Sequence, residues 1–347
     1  MNKPFQYSNY LDNSNYKKRD STFDLLKLYA MLSVVLDHSL QHMIGGIQQT
    51  LLYNWIFLSQ MPIFMFVSGY FSSGNIYKNT TFIDFLRKIV KIIFSLFIPF
   101  MSFAIIKSLI ERENLVIKSI LYPDNSLWFL WALMWMQIIM LVAQQISKCF
   151  FKNMRLRIIA SLGFYLLGLF PVVFMFVVLP ELFQTKLIIF YSIFYLFGFF
   201  YSLVEKQLIF LKNDKFKLFD IIIQFVIITL IMATHPQIIF ESETLYNIFA
   251  RLIGSFAAIM LMMNMMSFIA KSNLINRFAV FGTVSLEMYY IHLLLIELPF
   301  FNFYETNLFV FIIKYMLLVF ISMIIIATIK KNQLLDFLIF GKFDYNK

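Results

Sequence analysis

The chain has 347 residues, 61% of them hydrophobic and only 14% charged, with a net charge of +10 and a mean hydropathy of +0.77. So little charge on a chain this long excludes a water-soluble globular domain and points to a polytopic membrane protein. The basic excess is not a nucleic-acid footprint, because the lysines and arginines flank apolar runs rather than form a patch with exposed aromatics. The single Cys149 excludes internal disulfides and, set among lysines in an expected loop, reads as an ordinary thiol.

Residues 1–24 are mostly polar and hold Lys17-Lys18-Arg19. They are too long for a signal-peptide n-region and no small-residue cleavage site follows, so they read as a cytoplasmic tail before an uncleaved helix. Apolar runs near the roughly twenty residues that cross a bilayer follow at 25–44, 51–72, 89–110, 126–147, 157–179, 187–204, 218–234, 246–268, 278–298 and 308–329. The expected fold is therefore an all-α integral membrane protein, with about ten transmembrane helices in one bundle over 25–329. A cytoplasmic tail would occupy 330–347. Pro62 in the second run and Pro171 in the fifth mark helices that would be broken or kinked.

With the N-terminus inside, all but six of the 29 basic residues fall on cytoplasmic loops or flanks. The exceptions are Lys107, Arg112, Lys118, Lys186, Arg251 and Lys314. This asymmetry predicts that both termini are cytoplasmic. No loop is long enough for a second domain. The sequence has no phosphate-binding loop, no dinucleotide fingerprint and no Cys/His cluster with zinc spacing, so no metal is expected and the bundle must carry any chemistry.

In the first run Lys27 and His38 are eleven positions apart. Eleven helical steps of about 100° return almost to the same face, with a rise of roughly 16 Å. Ionisable groups at such depth are costly and usually face a bundle interior or a wet cavity. Asp37 is adjacent to His38, but neighbours i and i+1 do not share a helix face, so it need not orient the ring. The second run ends Met61-Pro62-Ile63-Phe64-Met65-Phe66-Val67-Ser68-Gly69-Tyr70-Phe71. Its small residues suit either close helix packing or a cavity wall. Arg87, Lys88 and Lys91 form either a cytoplasmic flank or an anion clamp near the Lys27 end. Trp128 opens the fourth run as either an interfacial anchor or part of a site. The ninth run holds Ser285, Glu287, Tyr289 and His292, with His292 about as deep as His38. Lys314 would snorkel outward or pair with Glu287 or Glu297.

Taken in order, these motifs resemble the membrane-bound acyltransferase 3 family, whose members O-acylate bacterial sugars and polysaccharides. The family's first helix carries a basic residue, ten intervening residues and a histidine, which map onto Lys27 and His38, with Asp24 in the commonly acidic place upstream. Lys27 stands where arginine is frequent. The stretch at 61–71 is similar to the family's second-helix signature. Ser126-Leu127-Trp128-Phe129-Leu130 looks like its Trp-Phe-Leu motif, and Ser285, Tyr289 and His292 look like its late Ser–Tyr–His motif. The second and fourth runs are most similar to the fucose 4-O-acetylase and capsule-modifying branch.

The resemblance implies a multi-pass enzyme of the plasma or inner membrane that moves an acyl group, most often acetyl, from acyl-coenzyme A to a sugar hydroxyl. Lys27, Arg87, Lys88 and Lys91 would hold the donor phosphates. His38, with Asp37 and His292, would carry the proton chemistry. Ser68, Tyr70, Trp128, Ser285, Glu287 and Tyr289 would shape the substrate site. The acceptor would be a lipid-linked glycan or a capsular or exopolysaccharide, with polysaccharide-assembly proteins as partners and no nucleic acid. The rival expectation from another class is a transporter or flippase for a lipid-linked saccharide, its path lined by the buried charges.

The charge sorting puts Asn125 outside and Asn213 inside. With Cys149 replaced, a cysteine at position 125 should react with an impermeant thiol reagent on intact cells and one at 213 should not. The reverse pattern would refute this orientation.

Overall fold

The computed structural model describes residues 21–43, 51–78, 81–111, 116–123, 128–205, 207–208, 213–234, 244–301 and 307–342. The first long helices are α1 (Ser21–Met43), α2 (Leu51–Ser72) and α3 (Phe82–Glu111). The short α4 (Val116–Leu121) precedes α5 (Trp128–Phe150), α6 (Met154–Val178), α7 (Thr185–Val204), α8 (Asp214–Thr234) and α9 (Leu245–Ile269). The chain ends with α10 (Asn273–Asn276), α11 (Ser285–Ile296), α12 (Leu308–Ile329) and α13 (Gln333–Phe340). Among the described residues there is no strand, and nine segments are long and apolar enough to cross a membrane. Helix α1 is a tenth long helix, 23 residues, which its lysine, aspartates and histidines keep below that apolar threshold. The ten long elements stand at the ten expected runs, which makes this an all-α, multi-pass membrane protein.

The polar helix sits inside and the apolar ones outside. Helices α2, α9, α11 and α12 all pack on α1, and Ala30, Val34 and Val35 are wholly buried there. Helices α6, α8 and α12 instead turn Phe170, Phe225 and Phe320 outward. Outward phenylalanines are stable only against hydrocarbon, so these helices form the lipid-facing belt.

Close backbone approach fixes the crossing of α2 and α7. A Cβ added at Gly69 would lie 1.8 Å from the Tyr195 carbonyl oxygen, and one at Gly198 would lie 1.9 Å from that of Phe66. Each glycine thus admits the other helix's backbone, the small-residue packing that substitutes for a hydrophobic drive between helices in lipid. Gly69 therefore serves the packing of α2 on α7.

Three expectations need correction. The proline-bearing helices α2 and α6 run through Pro62 and Pro171 without interruption. The broken element is the ninth run, which contains no proline before its end. It is built from α10, eight residues of 3₁₀ helix at Arg277–Val284, and the 12-residue α11. Packing causes the break: Gly282 lies on the first turn of α1, where an added Cβ would meet the Asp24 carbonyl oxygen at 1.9 Å.

Residues 333–340 of the segment expected as a C-terminal tail form α13. Asn332 caps α13 by accepting from the Leu334 and Leu335 amides, and Gly341 ends it with φ at +64°, a left-handed conformation that glycine adopts freely. The helix docks on α3, where Ser102 Oγ donates to the Leu338 carbonyl at 2.6 Å, and the Phe94 and Phe337 rings lie 5.8 Å apart. Finally, Cys149 is exposed in the last turn of α5 rather than in a loop. Of the tail expected at 1–24, residues 21–24 begin α1, and residues 1–20, together with Ser126 and Leu127, lie outside the described residues.

Replacing Gly198 with Ala should destabilise the protein by about 1–3 kcal/mol or more, because neither backbone can retreat without opening the crossing. Gly163 in α6 has nothing within 4 Å of an added Cβ. Ala there should be neutral or slightly stabilising. Thermal melting in detergent distinguishes the two variants.

Candidate active site

Two polar regions lie along α1, one toward each end. The first is centred on His38. Helices α1 and α11 pack together and bring the ring centroids of His38 and His292 to 5.5 Å. His292 is completely buried and its Nδ1 lies 2.8 Å from the Met288 carbonyl oxygen. A carbonyl only accepts, so Nδ1 carries the proton and Nε2 holds the lone pair of the neutral ring. Nε2 is buried with no hydrogen-bond partner among the described residues. The arrangement leaves a buried ring nitrogen with its lone pair unused beside a second, half-buried imidazole.

Asp37 belongs to this region without bonding as a triad carboxylate. One oxygen accepts from Gln60 Nε2 at 2.7 Å and the other from Gln41 Nε2 at 3.0 Å. Gln41 also donates to the Tyr53 hydroxyl at 3.1 Å. The two amides stabilise a 5% exposed carboxylate that would otherwise be very costly at this depth. Its field reaches His38 without a direct bond between neighbours on different helix faces.

A run of aromatic rings extends the wall of the site. Tyr289 lies 6.0 Å from His292 and 5.5 Å from Phe129. Trp128 follows Phe129 at 6.1 Å and stacks on Tyr191 at 4.8 Å. Tyr191 hydrogen-bonds Arg251, whose buried guanidinium lies over Phe190 and Phe57 at 4.4 and 5.0 Å. The structure thus joins His38, His292, Tyr289 and Trp128 through continuous ring contacts.

The second region gathers at the opposite end of α1. Lys27 pairs with Asp24 at 2.7 Å. Phe23 packs on Tyr70 with centroids 4.1 Å apart, and Tyr70 donates to Glu205 at the end of α7. Gln144 of α5 reaches the Ser72 carbonyl at 3.1 Å, and Lys88 donates to Asn75 at 3.0 Å. Lys88 also feels the charges of Lys78 and Lys148, and Lys148 that of Arg157. Cations of several helix ends therefore collect beside the Lys27 end. Arg87 is mostly exposed and pairs with Asp84 at 3.5 Å, and Lys91 is exposed. Ser285 is buried at the start of α11, one turn beyond the Gly282 contact with α1. Ser68 is half-buried near the α2–α7 crossing.

Glu287 stands apart from the histidines. It is 1% exposed and its Oε1 accepts from Lys330 at 2.8 Å and from Lys342. Of the alternatives open to Lys314, pairing with Glu287 is taken instead by Lys330 and Lys342. Five helical steps place Glu287 about 140° around α11 from His292, so the two face different neighbours.

Sequence reasoning missed Gln41, Gln60 and the Lys330–Lys342 pair as functional supports. A buried aspartate demands donors, so Gln60, a polar residue just ahead of Met61-Pro62, was the available signal.

Fold and site together describe a multi-pass membrane protein whose paired imidazoles lie inside a helical bundle and whose cations collect at one end. The chain matches the acyltransferase 3 family model, described as an acyltransferase domain, over residues 20–330. It belongs to that family and is a membrane acyltransferase. No curated protein and no solved structure matches it. The match lends no support to a flippase.

Replacing Gln60 with Leu removes the shorter of the two hydrogen bonds to Asp37 and should cost about 1–3 kcal/mol in stability. Gln41→Ala, which removes the longer, more exposed bond, should cost less. Chemical denaturation of the two variants in detergent checks the order.

Proposed function

We propose that the protein is an O-acyltransferase that takes an acyl group, most often acetyl, from acyl-coenzyme A and places it on a sugar hydroxyl of a cell-envelope glycan, either lipid-linked or a capsular or exopolysaccharide. The observation that carries this reading is the juxtaposition of His38 and His292 in a chain of the acyltransferase 3 family. The donor diphosphate would sit at the cation-rich end with Lys27, Lys88, Arg87 and Lys91 in reach, and its pantetheine arm would run along α1. Eleven residues of helix span roughly 16 Å, comparable with that arm.

In the step itself, His38 takes the proton of the acceptor hydroxyl as its oxygen attacks the thioester carbonyl. The carbon–sulfur bond breaks and the coenzyme A thiolate leaves, taking up the proton that His38 received. An imidazole suits both transfers because a ring nitrogen can accept a proton and give it up again. General-base assistance of this kind contributes typically 10²–10⁴-fold. His292, its Nδ1 pinned by Met288, supports the ring of His38. Asp37 favours a cationic imidazole during the transfer. Tyr289 and Trp128 form the wall against which a sugar ring stacks, and Tyr70, Ser68 and Ser285 shape the donor end. On this reading both termini are cytoplasmic, the donor end faces the cytoplasm of the plasma or inner membrane, and polysaccharide-assembly proteins supply the acceptor.

The test is the ester content of surface glycan from a deletion strain carrying each variant at matched protein level. His38→Ala should lose the ester by 10²-fold or more, His292→Ala should lose part of it, and His42→Ala should lose little. Lys27→Ala should weaken coenzyme A binding in the folded protein, and Lys27→Arg should keep it, since guanidinium retains the charge and suits phosphate. Normal ester in His38→Ala would sink the mechanism. Loss of the polymer itself in the deletion strain would point to transport.

A further inference from the structure

We infer that α13 is a strap that fixes the rotation of α11 and so holds His292 against His38, with Lys342 and Glu287 as positioning residues. The inference rests on the acyl-transfer reading above for its effect on turnover, though not for its structural content.

Helix α11 needs such a device. It has only 12 residues, its N-terminal boundary residue Val284 supplies no side-chain cap, and eight residues of 3₁₀ helix precede it. A 3₁₀ entry has poorer hydrogen-bond geometry than α-helix and does not carry helical register forward firmly. Yet α11 bears Tyr289 and His292, whose placement decides the candidate site.

The back of α11 is where the restraint acts. Glu287 and Tyr290 are three residues apart and share a face, turned well away from the face of His292. Glu287 Oε1 accepts from Lys342, just beyond α13, and from Lys330 at the end of α12 at 2.8 Å. Tyr290 packs edge-on against Phe340, the last residue of α13, at 5.9 Å, and against Phe103 of α3 at 5.6 Å. The Lys342 and Phe340 contacts tie α11 to the strap. The strap is itself anchored: Phe340 is 1% exposed, and an added Cβ at Gly341 would lie 1.7 Å from the Phe94 carbonyl oxygen. Asp336 of α13 lies within the fields of Lys330, Lys342 and Glu287, so α13 contributes to the ion cluster as well as to the packing. The family match ends at residue 330, so α13 and Lys342 lie beyond the matched domain.

A buried carboxylate stripped of one cation is strongly destabilised. Losing Lys342 should therefore loosen the first turn of α11 while Lys330 keeps Glu287 neutralised enough for the protein to fold. A small rotation of α11 would misplace His292, and misplacements of about 1 Å can cost up to 10²-fold in rate.

The test uses the full chain purified in detergent. Variants Lys342→Gln and Lys342→Arg are compared by hydrogen–deuterium exchange over residues 285–296. Turnover is measured with radiolabelled acetyl-CoA as donor and de-esterified surface glycan from the deletion strain as acceptor. The strap predicts faster exchange across α11 in Lys342→Gln and a kcat lowered roughly tenfold with an unchanged KM for acetyl-CoA. It predicts that Lys342→Arg, which keeps the cation on Glu287, keeps both values. Unchanged exchange, or faster exchange with full kcat, overturns the inference. So does a loss of kcat with unchanged exchange, or the same loss in Lys342→Arg. Should the unmodified chain transfer no acetyl group, the function proposed above fails, and the exchange comparison alone decides the strap.

Discussion

Carrying Lys27, Asp37 and His38 through a bilayer on a single helix costs about 2.5–3.5 kcal/mol for each charge placed near the midplane, and the helices around α1 are arranged to remove that cost. Asp24 neutralises Lys27 at 2.7 Å. Gln60 reaches across from α2 and Gln41 from the next turn of α1 to hold Asp37. On another face, Tyr315 of α12 donates to the Leu32 carbonyl at 3.2 Å. Between the two ends, the Trp55 indole donates to the Tyr29 hydroxyl at 2.9 Å, which in turn lies 3.0 Å from Ser59 Oγ. A helix so polar is excluded from the lipid face, so it becomes the axis of the bundle, and α2, α9, α11 and α12 take their places from it.

The same constraint explains why the irregular backbone falls where it does. In lipid an interrupted helix would strand amides and carbonyls, so irregularity is tolerated only against protein. The 3₁₀ stretch at Arg277–Val284 turns Ala279 and Gly282 onto protein, with Gly282 in backbone contact with Asp24 on the first turn of α1, while Phe278, Val280 and Phe281 remain exposed at the end of the bundle. That contact has a consequence for the site. It sets the point at which α11 begins, and with it how far along α1 His292 arrives. Helix α13 then controls the remaining freedom, rotation about the α11 axis, from the opposite face.

Most of the architecture was legible in the residues because membrane thickness imposes a length and apolar character that composition reveals directly. Nine of the ten runs became long helices at nearly the expected bounds, and the run at 278–298 became a short helix with a 3₁₀ entry. The depth match of His38 and His292 was likewise legible, since helical rise alone places two residues of opposed helices at one level. What the residues could not show were effects that depend on which helix lies beside which. Pro62 and Pro171 looked like breaks, but the helices absorb them, whereas the proline-free start of the ninth run broke under tertiary packing at Gly282. The polar residues 330–347 looked like a tail because their apolar stretch is too short to span, and only the groove on α3 turns Leu338, Phe340 and Gly341 into a docked element. Lys342 as a partner of Glu287 was hidden for the same reason: they are 55 residues apart and meet only when α13 folds back.

The separation of the two polar regions is the feature that connects fold to chemistry. A small polar substrate would need only one of them. A bundle that invests in a cation-rich end, a hydrogen-bonded mid-section at Tyr29 and Ser59, and a paired-imidazole end on the same helix is suited to a ligand long enough to touch all three. Because the ends share α1 as a rigid rod, the distance between Lys27 and His38 is fixed by helix rise rather than by loops, and elements on rods hold geometry more precisely than elements on loops. What must still be aligned is the imidazole that α1 does not carry. His292 reaches the site on a short helix with an irregular entry, so the accuracy of the whole arrangement comes to depend on the contacts that clamp α11 from behind.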